Sequence, residues 1–197
     1  VGADTGLEEI RRLAESGGRP TSVAGRVYRT DTRQRFLDHV LAVAGADEIT
    51  ELSVAADAGN GVAGVVLPAI FERIRARLTG LYLEPDGAFP NHHPDPLRPE
   101  NLRDLEALMH REAFALGVAF DGDADRAFFI DDRVRPLPGS TVTAMVAGWF
   151  LAREKGARIV HNLICSRAVP ETIIAHGGVP VRTRVGHSYI KSVMAET

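Results

Sequence analysis

The sequence predicts an α/β protein of two consecutive layered domains with mixed, mostly parallel sheets, the second of them truncated. Three observations predict it. Short apolar runs of strand length alternate with amphipathic stretches of helical period along most of the chain. The alternation halts at Arg133 to Gly139, where Pro136, Pro138 and Gly139 crowd seven residues, and then restarts. The 197 residues, 45% of them hydrophobic, suffice for two small cores. The expected organisation is a tail of a preceding domain and linker over 1–30, an α/β domain over 31–134, and a partial α/β domain over 135–197.

Each element has its own signal. Phe36, Leu37, Val40, Leu41 and Ala44 recur at helical spacing, and Gly45 stands where a C-terminal cap belongs. Leu52 to Asp57 reads as a buried strand entering the turn Gly59-Asn60-Gly61. Val62, Val65, Val66, Ala69, Ile70 and Ile74 predict one face of the next helix, and a short strand is expected near Leu81 to Glu84. A Pro-rich loop then runs from Pro85 to Pro99, and Pro99 suits the first turn of a helix carrying Leu102, Leu105, Leu108 and Met109. Leu116 to Phe120 and Ala127 to Asp131 are apolar and extended. After the break come a helix near Ser140 to Lys155, a strand over Ala157 to Leu163 and a helix after Pro170. A strand from Val179 to Val185 and a helix opening near Gly186-His187-Ser188 complete the series. No internal repeat or low-complexity tract interrupts it.

Composition narrows the function classes. A net charge of −3 gives no reason to expect nucleic-acid binding. The single cysteine, Cys165, excludes an internal disulfide framework and fits a reducing compartment. With no signal peptide and no apolar run of spanning length, no membrane partner is expected and the cytoplasm is the expected location. The chain opens on Val1 and closes on Thr197 within a helical pattern, and so reads as an interior piece of a longer protein.

The chemistry concentrates in Phe120-Asp121-Gly122-Asp123-Ala124-Asp125-Arg126. Alternate residues of an extended segment lie on one face roughly 6–7 Å apart, and the small Gly122 and Ala124 spacers let the three carboxylates converge. Two like charges about 4 Å apart repel by about 4 kcal/mol near a protein surface. A hard divalent cation removes that repulsion, and oxygen-only ligands favour magnesium or calcium over zinc. An EF-hand loop fits poorly, because its sixth position requires Gly where this chain has Arg126, and because the flanks read as strands. A haloacid-dehalogenase-like site wants an Asp pair with a downstream Thr, and here a third Asp and an Arg fill the space. A cation cage beside a guanidinium suits a phosphate held from both sides.

Other candidates read more plainly. His92 and His93 are adjacent, so their side chains diverge and a structural loop is expected. Gly59-Asn60-Gly61 lacks the Lys-Ser/Thr of a P-loop and reads as a tight turn. Cys165 reads as a buried small hydrophobe, and Trp149, with Met145 and Val146, as core. At Gly186-His187-Ser188 a helix start offers unpaired N–H groups to an anion. His187 and Lys191 are four apart, so they share a helix face there.

Taken together these segments resemble the α-D-phosphohexomutases, the phosphomannomutase/phosphoglucomutase family. Phe120 to Arg126 is similar to that family's metal-binding loop. Val54-Ala55-Ala56-Asp57-Ala58-Gly59-Asn60-Gly61-Val62-Ala63-Gly64 resembles the strand-turn-helix of its second domain. Phe89-Pro90-Asn91-His92-His93-Pro94-Asp95-Pro96, with Pro99 to Leu102, resembles the loop and helix start that come next. Thr183 to Lys191 resembles a substrate-side loop of its third domain. The resemblance implies a four-domain enzyme that interconverts hexose 1- and 6-phosphates through a phosphoserine and a bisphosphorylated sugar. It implies Mg2+ held by Asp121, Asp123 and Asp125, and Arg126 steadying the transferring group. Gly186, His187 and Lys191 would bind substrate, and the partners would be a hexose phosphate and the enzyme's remaining domains. The family's Ser-His-Asn-Pro loop has no counterpart here, so the chain alone is expected to be inactive. Ile164 also precedes Cys165 where many members carry a basic residue. The alternatives are a calcium-stabilised, non-catalytic binding module and a metal-dependent phosphatase.

Overall fold

The computed structural model describes residues 6–17, 25–46 and 49–196. They form two compact units, Thr30–Gly139 and Ser140–Thr197 together with Val1–Arg29. The expected tail over 1–30 lies partly outside the described residues. Within it a helix forms at α1 (Leu7–Glu15), none of whose residues is buried.

In the unit Thr30–Gly139, α2 (Arg33–Ala44) ends on Gly45 in the left-handed region, as the cap signal predicts. A four-stranded sheet follows from β1 (Leu52–Asp57), β2 (Ala76–Leu81), β3 (Leu116–Phe120) and β4 (Ala127–Ile130), in the order β2-β1-β3-β4. The first three strands are parallel, and β4 is antiparallel to β3. Helices cover both faces, so β1 buries Val54, Ala55, Ala56 and Asp57 in succession instead of alternating. Ala55 and Ala119 pack beneath α4 (Arg103–Arg111), against Leu102, Leu105, Leu108 and Met109. Val54, Ala56 and Val118 face the other way, toward Ala63 and Leu67 of α3 (Ala63–Phe71).

Two expectations for this unit need correction. The strand expected at Leu81–Glu84 forms earlier, as β2. It is an edge strand, and such strands tolerate charged residues like Arg77 that mask the apolar signal. Helix α3 stops at Phe71, short of Ile74, and buries Ala63, Gly64 and Leu67 while Val62 and Val65 stay about half exposed. Its contact is made by the residues with the least side chain. A methyl built on Gly64 would fall 1.8 Å from the Leu83 carbonyl oxygen, so helix and strand exit meet backbone to backbone.

In the other unit, β5 (Arg158–Asn162) and β6 (Val179–Thr183) pair in parallel. Helices α5 (Gly139–Arg153) and α6 (Ala168–Ala175) supply the core residues Ala147, Leu151, Val169 and Ile173. Helix α7 (His187–Glu196) packs on both strands. Trp149 is not core: with Met145, Val146 and Phe150 it lies on the exposed side of α5, the Arg153 guanidinium 3.7 Å above its ring. Cys165 is half-buried, its thiol donating to Asn162 Oδ1 at 3.2 Å. Among the described residues no helix is long and apolar enough to cross a membrane.

Candidate metal centre

Parallel strands β1 and β3 run side by side, with Asp57 opposite Ala119, so their carboxyl ends open at one edge of the sheet. Ligands of open α/β sheets bind at that edge. The loop from β3 to β4 emerges there, and it turns tightly. The Asp121 N–H donates to the Arg126 carbonyl and the Ala124 N–H to the Asp121 carbonyl, with Ala124 at φ 57°. This turn brings one carboxylate oxygen from each of Asp121, Asp123 and Asp125 within 4.8 Å of one another. It is the one such cluster of potential metal ligands among the described residues.

The three aspartates differ in setting. Asp121 is fully buried, whereas Asp123 and Asp125 are exposed. Asp121 Oδ1 accepts the Arg126 N–H at 3.1 Å, and its Oδ2 accepts Arg126 Nε–H at 2.5 Å. Asp125 Oδ1 lies 3.3 Å from the same Nε. Burial pushes the Asp121 carboxyl up, but the Arg126 backbone and side-chain bonds together outweigh it and hold the group below the usual carboxylate range. The Arg126 side chain remains about half exposed.

The donor set fits a hard dication. Octahedral ligands about 2.1 Å from Mg2+ are about 3.0 Å apart when adjacent and about 4.2 Å when opposite. Oxygens no more than 4.8 Å apart reach those spacings through small rotations of two exposed side chains. All three ligands are anionic oxygens, with no sulfur or imidazole, which matches magnesium or calcium chemistry.

Gly186, His187 and Lys191 belong to the other unit. Gly186 takes φ 127°, its carbonyl accepting the Tyr189 and Ile190 N–H groups at 3.1 Å as α7 begins. His187 and Lys191 are exposed and one helical turn apart. Arg184 stacks over the Tyr189 ring at 3.5 Å beside them.

Sequence reasoning missed the polar groups buried next to the aspartate loop. Asp57 is buried at the end of β1, and its Oδ2 lies 3.0 Å from His92 Nε2. Asn60 donates to the Glu84 carbonyl and accepts from Asn91, both at 2.8 Å. The available signal was an aspartate closing an otherwise apolar strand, which burial would force to find a partner.

Comparison with known proteins agrees with this architecture. Residues 34–135 match the family model "Phosphoglucomutase/phosphomannomutase, alpha/beta/alpha domain II", and residues 138–197 match the model for domain III. The chain is 34% identical to a phosphomannomutase of Escherichia coli over 98% of its own length and 44% of the relative's. It is 36% identical to a phosphomannomutase/phosphoglucomutase of Pseudomonas aeruginosa, over 99% of the chain and 42% of the relative. A Burkholderia thailandensis protein of the phosphoglucomutase/phosphomannomutase family superposes with a TM-score of 0.88 at 29% identity, covering all of this chain and 42% of that one. The chain thus spans less than half the length of these curated relatives.

Proposed function

The chain belongs to the phosphoglucomutase/phosphomannomutase family, and from that premise we propose that it is the central part of a magnesium-dependent phosphohexomutase. The reaction is the interconversion of hexose 1- and 6-phosphates by phosphoryl transfer through a phosphoserine carried elsewhere in the polypeptide. The observation that carries this reading is the convergence of Asp121, Asp123 and Asp125 at the carboxyl edge of the sheet, with Arg126 bound to the same loop.

In this reading the three carboxylates hold Mg2+, which supplies neutralising charge to the phosphoryl oxygens. The chain's own contribution is positioning and electrostatics, as phosphoryl transfer requires. Asp121 fixes Arg126 through Nε, so the terminal guanidinium nitrogens form a fork for the transferring group. Gly186, His187 and Lys191 receive the substrate's phosphate or sugar oxygens at the start of α7. Residues 31–134 act as the metal-bearing domain and 135–197 as part of the substrate-binding one. Partners are a hexose phosphate and the remaining domains, and the cytoplasmic location expected from the sequence goes with this reading.

The test is turnover. A full-length polypeptide carrying this chain converts mannose or glucose 1-phosphate to the 6-phosphate with Mg2+, stops with EDTA and recovers when Mg2+ is restored. The 197 residues alone do not. Failure of the full-length protein on both sugars, or turnover by the isolated chain, would overturn the assignment.

A further inference from the structure

Three loops meet at the carboxyl edge of the sheet, and one buried pair joins two of them. Asp57 and His92 are 35 residues apart, with side chains only 1% and 14% exposed. Asp57 Oδ1 accepts the Gly59 N–H at 2.8 Å, and its Oδ2 faces His92 Nε2 at 3.0 Å. The other ring nitrogen, Nδ1, lies 3.0 Å from the His93 carbonyl oxygen. Both nitrogens of one imidazole therefore face acceptors. A neutral ring beside an ionised carboxylate can satisfy only one of them. With the ring proton on Nε2, His92 donates to Asp57 and ties the two loops together.

The other neighbours are Tyr82 and, bonded to it, the Asp104 carboxylate. The Tyr82 ring meets His92 edge-on, centroids 5.4 Å apart, and its hydroxyl donates instead to Asp104 of α4 at 2.7 Å. That bond pushes the Tyr82 hydroxyl up to about 12, so it stays protonated. Burial pushes the Asp57 carboxyl up, against the Gly59 and His92 bonds, and the Asp104 charge adds to the rise.

The segment that His92 anchors reaches the metal loop. A methyl built on Gly59 would lie 3.2 Å from Pro94 Cβ, and one built on Gly122 would lie 3.3 Å from Pro94 Cγ. Pro94 is therefore wedged between the turn after β1 and the residue separating Asp121 from Asp123. From the other side, Gly61 admits the Gly122 carbonyl, which accepts the Val62 N–H at 3.0 Å.

We propose that the Asp57–His92 pair is a positioning device for the metal-binding loop, holding Pro94 against Gly122 so that Asp121 and Asp123 keep their mutual geometry. The proposal rests on the metal reading above. Neither residue touches the cation; both act through Pro94.

The experiment is Mg2+ titration of the chain by calorimetry at neutral pH, for wild type, His92→Phe and His92→Gln, with melting curves to confirm folding. His92→Phe is expected to bind Mg2+ about 10-fold more weakly, the scale of losing a group that supports metal ligands. His92→Gln, which keeps an N–H toward Asp57, is expected to retain most of the wild-type affinity. Equal affinity in wild type and His92→Phe, or an affinity in His92→Gln as low as in His92→Phe, overturns the positioning role alone. If His92→Phe does not fold, His92→Leu takes its place under the same outcomes. Absence of Mg2+ binding in wild type overturns the metal reading and this role with it.

Discussion

Asp121→Asn lowers Mg2+ affinity by about 100-fold or more, beyond the 10–100-fold typical of losing a supporting group, because here a ligand itself is neutralised. Asp121 has two duties that an amide cannot share. It offers an anionic oxygen to the cluster, and it anchors Arg126 through both backbone and Nε. In the variant one amide face presents N–H groups to a guanidinium that can only donate. Asp123→Asn separates the duties, since Asp123 is exposed and carries no such anchor. It too weakens Mg2+ binding, but it relieves like-charge repulsion without releasing Arg126. Calorimetric titration of both variants checks this, and equal Mg2+ affinity in wild type and either variant would remove the carboxylate cage from the account.

Gly64→Ala is expected to be the most damaging single-methyl change in the unit Thr30–Gly139. The added carbon would sit 1.8 Å from the Leu83 carbonyl oxygen and 2.6 Å from its carbon, atoms of a backbone that cannot swing aside. Helix α3 must then lift off the sheet, opening the contact of Ala63 and Leu67 with Val54, Ala56 and Val118. Overpacking costs typically about 1–3 kcal/mol, and a clash with backbone belongs at the upper end or above. For a unit of this size that lowers Tm by roughly 10 °C or more. Val65→Ala, on the exposed side of the same helix, moves Tm little. A Gly64→Ala melting curve within a degree or two of wild type would show that the helix–strand approach is looser than described.

What the sequence revealed depended on whether a signal was carried by side chains or by their absence. Strand β1, helix α4 and the Asp121–Asp125 loop were legible because a dense apolar run, apolar residues at helical spacing and three spaced carboxylates each carry their own physics. Strand β2 was displaced because an edge strand can carry Arg77 near its start. The face of α3 was misread because periodicity counts Val62 and Val65, while the packing is done by Ala63, Gly64 and Leu67. Trp149 reads as core from its place on a helix with Met145 and Val146, yet α5 buries the smaller Ala147 and Leu151. For the Asp57–His92 pair the sequence signals only that a carboxylate closing an apolar strand needs a partner; that the partner is His92, 35 positions away, emerges when the sheet brings the loops together.

The most direct test of the central claim is the anomalous difference density of Mn2+, a spectroscopically visible substitute for Mg2+, soaked into crystals of this chain. One peak is expected in the loop between β3 and β4, about 2.0–2.3 Å from one oxygen each of Asp121, Asp123 and Asp125. An ordered loop with no peak at saturating Mn2+, or a peak held by other residues, would contradict the account.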